Sequence, residues 1–384
     1  MKNFKNIAYV GVDDTSLDLF EGQYVVPDGM SYNSYVILDD KIAVMDAVDK
    51  AKIAQWLENV ENALGGRTPD YLVISHMEPD HSAGIAAFAA KYPSVTAVGS
   101  AKALEMFKNF YGVDLPSKLA VKEGDKLSLG EHELTFYAAP MVHWPEVMVS
   151  YESAEKVLFA ADAFGKFGAL CNETDDWACE ARRYYFNIVG KYGVQVQALL
   201  KKLAPLDIAA ICPLHGPVLD EDLGKYLSLY DTWSSYRAES EGTFVAFAGV
   251  YGNTRQAALA LAEELESRGE KVVVTDLARC DLAEAVEDAF RYDKAVFAAT
   301  TLDGGIFPVM DDFLRHLKAK NYQKRRVGII ENGSWAPMSG KLMRGLLEEM
   351  KEIEIMPTMI TCRSSVPENL SELCARLADE LLGK

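Results

Sequence analysis

Apolar residues in the first 240 positions fall into short, strand-like runs separated by polar turns. Four runs are each followed at once by a histidine or an aspartate: Tyr71–Ser75, Leu134–Val142, Val157–Ala161 and Ile208–Leu214. Stretches with apolar residues at helical spacing, such as Lys52–Ala63 and Ala101–Phe110, lie between the strands. This mixture predicts sheets covered by helices rather than a repeated βαβ array.

From residue 243 onward the pattern changes to a strict alternation of strands and helices. The predicted strands are 243–248, 271–275, 295–300, 326–330 and 354–361, and the predicted helices are 253–268, 281–290, 309–320, 340–350 and 370–382. Five βα units predict a doubly wound parallel sheet of flavodoxin size. Because Ser234–Gly242 is polar, we place a junction there and predict two α/β domains, residues 1–240 and 241–384.

Length, charge and cysteine usage restrict the class of protein. A chain of 384 residues is too long for one typical core, which agrees with two domains. The net charge of −18 argues against a nucleic-acid or anionic-membrane partner, because either would need a basic face. No apolar run approaches the ~18 residues of a membrane span. The six cysteines form no C-x-x-C pair, which is typical of reduced thiols, so we expect a cytoplasmic protein without an iron–sulfur site of its own.

Potential metal ligands are concentrated directly after the strand-like runs. The seven candidates are His76, Glu78, Asp80, His81, His143, Asp162 and His215. A lone histidine after a strand is usually a hydrogen-bonded structural residue, but polar groups collected at strand ends would be costly without a cation. Of the remaining histidines, His132 lies in a polar turn and His316 in a helical stretch, and neither is assigned a ligand role.

Charge arithmetic indicates two ions rather than one. Four neutral imidazoles and three carboxylates carry a charge of −3, which two divalent cations and one bridging hydroxide balance. A single zinc takes only about four ligands. The set therefore predicts a dinuclear centre in which one carboxylate bridges metals about 3.5–4 Å apart.

The order H-x-E-x-D-H, followed by His, Asp and His at long intervals, resembles the metallo-β-lactamase superfamily and its αββα sandwich. Hydrolases of that superfamily usually carry histidine where this chain has Glu78. The glutamate form, with His143-Trp144-Pro145-Glu146, Asp162-Ala163-Phe164-Gly165 and Leu214-His215-Gly216-Pro217, resembles the flavodiiron proteins. Replacing an imidazole by a carboxylate makes a harder, more anionic site, which suits iron redox cycling better than zinc hydrolysis.

The resemblance implies two irons with separate ligand sets. One iron takes His76, Glu78 and His143; the other takes Asp80, His81 and His215; Asp162 and a hydroxide or oxo group bridge them. The diiron site itself is then the catalytic site.

Three loops at strand carboxyl ends predict a ligand site in the second domain. The first, Gly249-Val250-Tyr251-Gly252-Asn253-Thr254, leads into a helix N-terminus, where backbone N–H groups bind anions. It is not G-x-G-x-x-G, which weighs against a dinucleotide. The other two loops are Thr300–Gly305 and Glu331–Trp335. Ligands of open α/β sheets bind at these ends.

These three loops resemble those of flavodoxin-like FMN domains. The resemblance implies that Tyr251, Asn253 and Thr254 hold the phosphate, that Thr301, Leu302 and Gly304 line one side of the ring, and that Asn332, Gly333, Ser334 and Trp335 line the other. Many members of the family have Ser or Thr where Gly249 stands, so one phosphate hydroxyl is missing from this chain.

The activity that the resemblance implies is reduction of O2 to water, of NO to N2O, or of both, as a scavenger in an anaerobe-type cytoplasm. Rubredoxin or a flavin reductase would donate electrons. A head-to-tail homodimer, or a tetramer, would place the FMN of one subunit beside the irons of the other. Two alternatives stay open: a dizinc hydrolase fused to a flavodoxin module, which Glu78 disfavours, and a pure electron carrier, which the complete ligand set disfavours.

Overall fold

The computed structural model describes residues 4–172 and 176–384 and contains two compact units. Unit 1 comprises Met1–Tyr185 and Val194–Asp231, and unit 2 comprises Phe186–Gly193 and Thr232–Lys384. The domain ranges predicted above, 1–240 and 241–384, stay a proposal.

Unit 1 is built on two sheets. Its strands are β1 (Ile7–Tyr9), β2 (Val12–Asp14), β3 (Leu19–Phe20), β4 (Tyr24–Val25), β5 (Met30–Tyr32), β6 (Tyr35–Ile37), β7 (Ala43–Met45), β8 (Tyr71–Ile74), β9 (Thr96–Ser100), β10 (Lys118–Val121), β11 (Lys126–Ser128), β12 (Glu133–Ala138), β13 (Met148–Glu152), β14 (Val157–Phe159) and β15 (Ala210–Cys212). One sheet has the order β1-β6-β7-β8-β9-β10 and the other β11-β12-β13-β14-β15, while β2-β5 and β3-β4 form two small hairpin-like pairs. Strands β7 to β10 are parallel to one another, as are β14 and β15.

The two large sheets of unit 1 pack face to face. Val73 and Val98 of the first sheet share one buried core with Phe136 and Phe159 of the second. The helices of this part of the chain are α1 (Ile53–Leu64), α2 (Pro79–Ser82), α3 (Ile85–Lys91), α4 (Ala101–Tyr111), α5 (Trp177–Tyr184), α6 (Gly193–Leu203) and α7 (Leu223–Ser234), with 3-10 turns at Lys50–Lys52, Leu170–Asn172 and Gly190–Tyr192 and a π-helical turn at Tyr185–Val189. Helix α1 buries only residues four apart, Trp56, Val60 and Leu64, as an amphipathic helix on a sheet does. The predicted αββα sandwich is confirmed.

Unit 2 contains one large parallel sheet with helices between its strands. Its elements are β16 (Ser240–Ala248), α8 (Asn253–Ser267), β17 (Val272–Asp276), α9 (Leu282–Arg291), β18 (Tyr292–Leu302), β19 (Gly305–Ile306), α10 (Pro308–Ala319), β20 (Arg325–Asn332), α11 (Ser339–Glu348), β21 (Ile353–Cys362) and α12 (Leu370–Leu382). The order β17-β16-β18-β20-β21 is the flavodoxin-like order 2-1-3-4-5, with β19 added to β18 as a short antiparallel strand. The predicted doubly wound five-stranded sheet is confirmed.

The apolar runs of unit 1 extend beyond the strands that they predicted. Strand β12 ends at Ala138 rather than at Val142, because Pro140 has no N–H to donate and Met141 adopts a positive φ of 64°. Strand β14 likewise ends at Phe159, and Ala161 has a φ of 50°. The residues after each strand therefore form connections that are free to turn toward a common point.

The structure bears on two further expectations. Within the described ranges no helix combines the length and the apolar character that crossing a membrane requires. All six cysteines are free thiols, as their scatter along the sequence indicated.

Candidate metal centre and flavin site

The connection after β8 carries four of the seven candidate ligands. Glu78 precedes helix α2, which begins at Pro79, a residue that suits the first helical position because its missing N–H needs no partner there. Asp80 and His81 follow on this single turn, and both are buried. The remaining candidates lie in other connections: His143 between β12 and β13, Asp162 after β14 and His215 after β15.

Side chains from these connections meet in two groups. The first contains His76, Glu78, His143 and Asp162, and the second contains Asp80, His81 and His215. In the first group Glu78 Oε2 lies 3.2 Å from His76 Nε2 and 3.0 Å from His143 Nε2. In the second, His81 Nε2 lies 3.0 Å from His215 Nε2, and Asp80 Oδ2 lies 3.1 and 3.2 Å from these two nitrogens. The seven predicted ligands are thus brought together, in the two sets that the sequence analysis assigned.

Asp162 lies between the two groups. Its Oδ2 is 3.0 Å from His143 Nε2 and 3.2 Å from His76 Nε2. Its Oδ1 is 3.4 Å from His81 Nε2 and 3.8 Å from His215 Nε2. One carboxylate that directs its two oxygens to different groups has the geometry of a bridging ligand.

The donor atoms fit two cations. Ligands at about 2.1 Å from one metal lie about 3.0–3.4 Å from one another, which matches the spacings within each group. Among the described residues, neither oxygen of Asp80 nor Oδ1 of Asp162 has a hydrogen-bond donor, although all three are buried. Buried carboxylate oxygens without donors are costly, and a cation in each group removes that cost.

The raised pKa values of His81 and His143 also indicate that the site lacks positive charge. Burial by itself lowers the pKa of His81, but Asp80 outweighs it and raises that pKa to about 10. Burial likewise opposes, and hydrogen bonds to Asp162 and Glu78 produce, the rise of the His143 pKa to about 9. The pKa of Asp162 is held well below its usual value against burial, chiefly by the charge of His76. Without metal, the positive charges of His81 and His143 therefore partly offset the carboxylates that a cation would neutralise.

Two acceptors orient the histidines from behind, and sequence reasoning gave neither of them a role. Glu146 Oε1 accepts from His76 Nδ1 at 2.7 Å and from the Met77 backbone N–H at 2.9 Å. The Ser31 carbonyl accepts from His215 Nδ1 at 2.7 Å. In the neutral imidazole that a metal requires, each Nδ1 then carries the hydrogen, and each Nε2 offers its lone pair to the centre of the site.

Aromatic rings surround the second group. The ring centroid of His215 lies 5.4 Å from that of Phe20 and 5.5 Å from that of Tyr184, and the ring of Tyr32 lies 6.4 Å from that of His81. Phe20, Tyr32 and Tyr184 are all buried. This wall limits the access of water to the centre.

Unit 2 contains a cavity of about 530 Å³ at the carboxyl ends of β16, β18 and β20. All ten residues predicted as flavin contacts line it: Tyr251, Asn253, Thr254, Thr301, Leu302, Gly304, Asn332, Gly333, Ser334 and Trp335. Helix α8 begins here without a side-chain cap, since its N-cap is Gly252 with a φ of 91°. The N–H groups of its first turn are thus left for an anion, and the size is that of an ordinary cofactor site.

Six lining residues were not predicted: Val250, Thr300, Asp303, Ala336, Met338 and Ser364. Five of them belong to the three predicted loops or border them, whereas Ser364 comes from the connection after β21. Among the predicted contacts, Thr301 also has a structural task, because its Oγ1 accepts from the N–H groups of Met338 and Ser339 at 2.9 and 3.0 Å. Trp335 and Tyr251 are 89% and 92% exposed, so their rings are available to cover a bound ligand.

Comparison with known proteins supports this description of both units. Residues 30–216 match the model of the family described as "ODP family beta lactamase". A nitric oxide reductase from Moorella thermoacetica is 27% identical over 355 residues, which are 90% of this chain and 88% of that protein. The chain spans 56% and 50% of two diflavin flavoproteins from Synechocystis sp., about half the length of these curated relatives.

Solved structures show the same fold over nearly the whole chain. Rubredoxin oxygen:oxidoreductase from Desulfovibrio gigas matches with a TM-score of 0.93 and 24% identity, covering 99% of this chain and 97% of that one. The flavodiiron protein from Giardia intestinalis matches with a TM-score of 0.88 and 24% identity, covering 98% of this chain and 94% of that one. These matches confirm the predicted fold and support the resemblance to the flavodiiron proteins that the seven ligands and three loops indicated.

Proposed function

We propose that this chain, which is similar to the flavodiiron proteins over nearly its whole length, is an oxidoreductase that reduces O2 to water, NO to N2O, or both. In this proposal the two ligand groups of unit 1 would hold two irons, and the cavity of unit 2 would hold FMN. The observation that carries the proposal is the position of Asp162, whose two oxygens face two separate ligand groups. A mononuclear site would not need that arrangement.

When bound, the two irons and FMN supply the electron transfer that reduction of the gas requires. The side chains of this chain hold, orient and shield. His76, Glu78 and His143 would hold one iron, and Asp80, His81 and His215 the other. Glu146 and the Ser31 carbonyl would hold the hydrogens of the neutral His76 and His215 rings on Nδ1, so that each Nε2 can ligate. Phe20, Tyr32 and Tyr184 keep bulk water away from the second group.

In unit 2, we propose that Tyr251, Asn253 and Thr254 hold the FMN phosphate at the start of α8. The ring would lie between two loops, with Thr301, Leu302 and Gly304 on one side and Asn332, Gly333, Ser334 and Trp335 on the other. Thr301 connects these two loops, because its Oγ1 accepts hydrogen bonds from the backbone N–H groups of Met338 and Ser339 at the start of α11.

We propose both O2 and NO as candidate substrates because the names of the similar proteins give different activities. The Moorella relative is a nitric oxide reductase, and the Desulfovibrio structure is an oxygen:oxidoreductase. We further propose a separate electron donor, such as rubredoxin or a flavin reductase, and a head-to-tail homodimer or a tetramer. Light scattering on the purified protein tests the assembly, and a monomer would exclude that part of the proposal.

One experiment tests the function. The purified protein is assayed for iron, zinc and flavin, reduced without air, and then given O2 or NO in separate vessels while the gas is followed with an electrode. We expect about two irons and one FMN per chain, with consumption of at least one gas. Two zinc ions per chain with no iron and no gas consumption would instead favour the dizinc hydrolase. FMN without bound metal would favour the electron carrier.

A further inference from the structure

A fourth loop reaches the flavin cavity. Ser364 lines the cavity from the connection after β21, outside the three loops that the sequence analysis considered. It adopts a left-handed φ of 68°, and its neighbours close a tight turn in which the Ser365 N–H donates to the Arg363 carbonyl at 3.1 Å. A serine in this strained conformation needs compensating contacts.

Asn332 supplies those contacts and connects the fourth loop to the loop Gly249–Thr254, where the phosphate is proposed to bind. Its Oδ1 accepts from the Ser364 N–H at 3.1 Å, and its Nδ2 donates to the Ser364 carbonyl at 3.2 Å. A backbone N–H can only donate and a carbonyl can only accept, so these two bonds fix which end of the amide is which. The same Nδ2 then donates to Thr254 Oγ1 at 3.4 Å.

These bonds set the polarity of two hydroxyls at the cavity. Thr254 accepts from Asn332, so its own hydrogen is left to be donated elsewhere. Ser364 Oγ donates to Ser334 Oγ at 2.7 Å, and the hydrogen of Ser334 is likewise left for another acceptor. Two hydroxyls arranged as donors suit a ligand whose phosphate oxygens only accept.

Thr254 also fills the space next to the glycine that departs from the family pattern. A β-carbon at Gly249 would lie 2.9 Å from the β-carbon of Thr254 and 3.0 Å from its Oγ1, closer than packing allows. Thr254 is itself only 2% exposed and cannot move aside freely. Any side chain at position 249 would therefore press against Thr254.

We propose that Asn332 and Ser364 form a positioning relay that turns the Thr254 and Ser334 hydroxyls into donors for the FMN phosphate and ring acceptors. The relay rests on the proposed function, in that it requires the cavity to bind FMN. It makes Asn332 a residue that selects FMN over riboflavin, which has the same ring without the phosphate.

The test is a pair of flavin titrations. Protein freed of flavin is titrated with FMN and with riboflavin, and Kd is read from quenching of flavin fluorescence. Asn332→Asp keeps the shape but makes residue 332 an acceptor for Thr254, whose hydrogen then turns away from the phosphate. We expect N332D to weaken FMN binding at least about tenfold and riboflavin binding less than about threefold. T254V, which removes the hydroxyl and keeps the shape, should show the same selectivity.

Ser364→Ala and Ser365→Ala form the matched pair for the fourth loop. S364A should weaken FMN binding about threefold to tenfold, whereas S365A, one residue further and outside the cavity lining, should match the wild type. Equal losses for FMN and riboflavin in N332D would overturn the relay and leave Asn332 a purely structural residue, as would identical affinities for S364A and S365A. Failure of the wild type to bind either flavin would overturn the proposed function and the relay with it.

Discussion

Removing the carboxylate of Glu146 should loosen one metal and spare the other. Its Oε1 accepts from His76 Nδ1 at 2.7 Å and from the Met77 N–H at 2.9 Å, and its side chain is fully buried. E146Q turns a charge-assisted bond into a neutral one of about half the strength, a loss of about 1 kcal/mol or roughly fivefold in affinity. E146A leaves two buried donors unsatisfied, and a loss of about 10–100-fold for the iron held by His76 follows. The iron held by His81 and His215 should keep its affinity, because Glu146 hydrogen-bonds to His76, whereas His215 is oriented by the Ser31 carbonyl.

The assay is graded dialysis of the iron-loaded protein against a chelator, with iron and FMN counted at each step. Glu152 is the matched control, since its Oε1 lies 3.0 Å from His132 Nδ1 in another buried histidine–glutamate pair of unit 1. E152A should lower the free energy of unfolding and leave the iron curve unchanged. If E146A released both irons together, or held both as tightly as the wild type, the assignment of Glu146 to His76 alone would be refuted.

Three further outcomes follow from the structure. Asp162→Ala should reduce bound iron from about two to one or fewer per chain and lower gas consumption at least about a hundredfold, with FMN content unchanged; undiminished turnover would reject the bridge. Gly249→Ser and Gly249→Ala should weaken FMN binding equally, by an amount that corresponds to about 1–3 kcal/mol, because both place a β-carbon against Thr254; tighter binding by the serine variant alone would contradict this. Metal uptake should release protons at pH 7, because His81 and His143, with pKa values of about 10 and 9, are charged there and must become neutral to ligate. Calorimetry in buffers of different ionisation enthalpy should show this release falling as pH rises through 9 and then 10, and a constant release would contradict it.

The convergence of the seven candidate ligands could be predicted from sequence because they lie in connections that follow strands, and strand ends converge in an α/β protein. The sequence did not predict the role of a residue whose partner lies in a distant part of the chain. Glu146 stood in a quoted motif, but its partner His76 is 70 positions away. Ser31 contacts His215 through a backbone carbonyl, which any residue type could supply. The predicted strand length was wrong for a different reason: Ala139 and Val142, past the end of β12, are buried within a turn rather than within a strand.

In the proposed flavin cavity, too, some residues could be predicted from the sequence and others could not. Loops at the carboxyl ends of β16, β18 and β20 are set by the alternating pattern, so their residues were placed correctly in the cavity lining. Ser364 was missed because it reaches the cavity through a left-handed turn after β21 that Asn332 stabilises. Its signal in the sequence is only the pair Ser364-Ser365 after a strand, which many surface turns share.

Glu78 affects both the charge balance and the metal preference of the candidate metal centre. One of its oxygens, Oε2, lies within 3.2 Å of the Nε2 atoms of both His76 and His143. Hydrolases of the superfamily usually have a histidine at this position. With histidine there, two carboxylates rather than three would face the cations, and the balance reached by two divalent ions and one hydroxide would leave an excess positive charge. The third carboxylate offsets that charge and offers a hard oxygen in place of nitrogen, which favours iron over zinc. The pKa of Glu78 is held below its usual value against burial by its hydrogen bonds to His143 and His76, so this oxygen is ionised and ready to ligate.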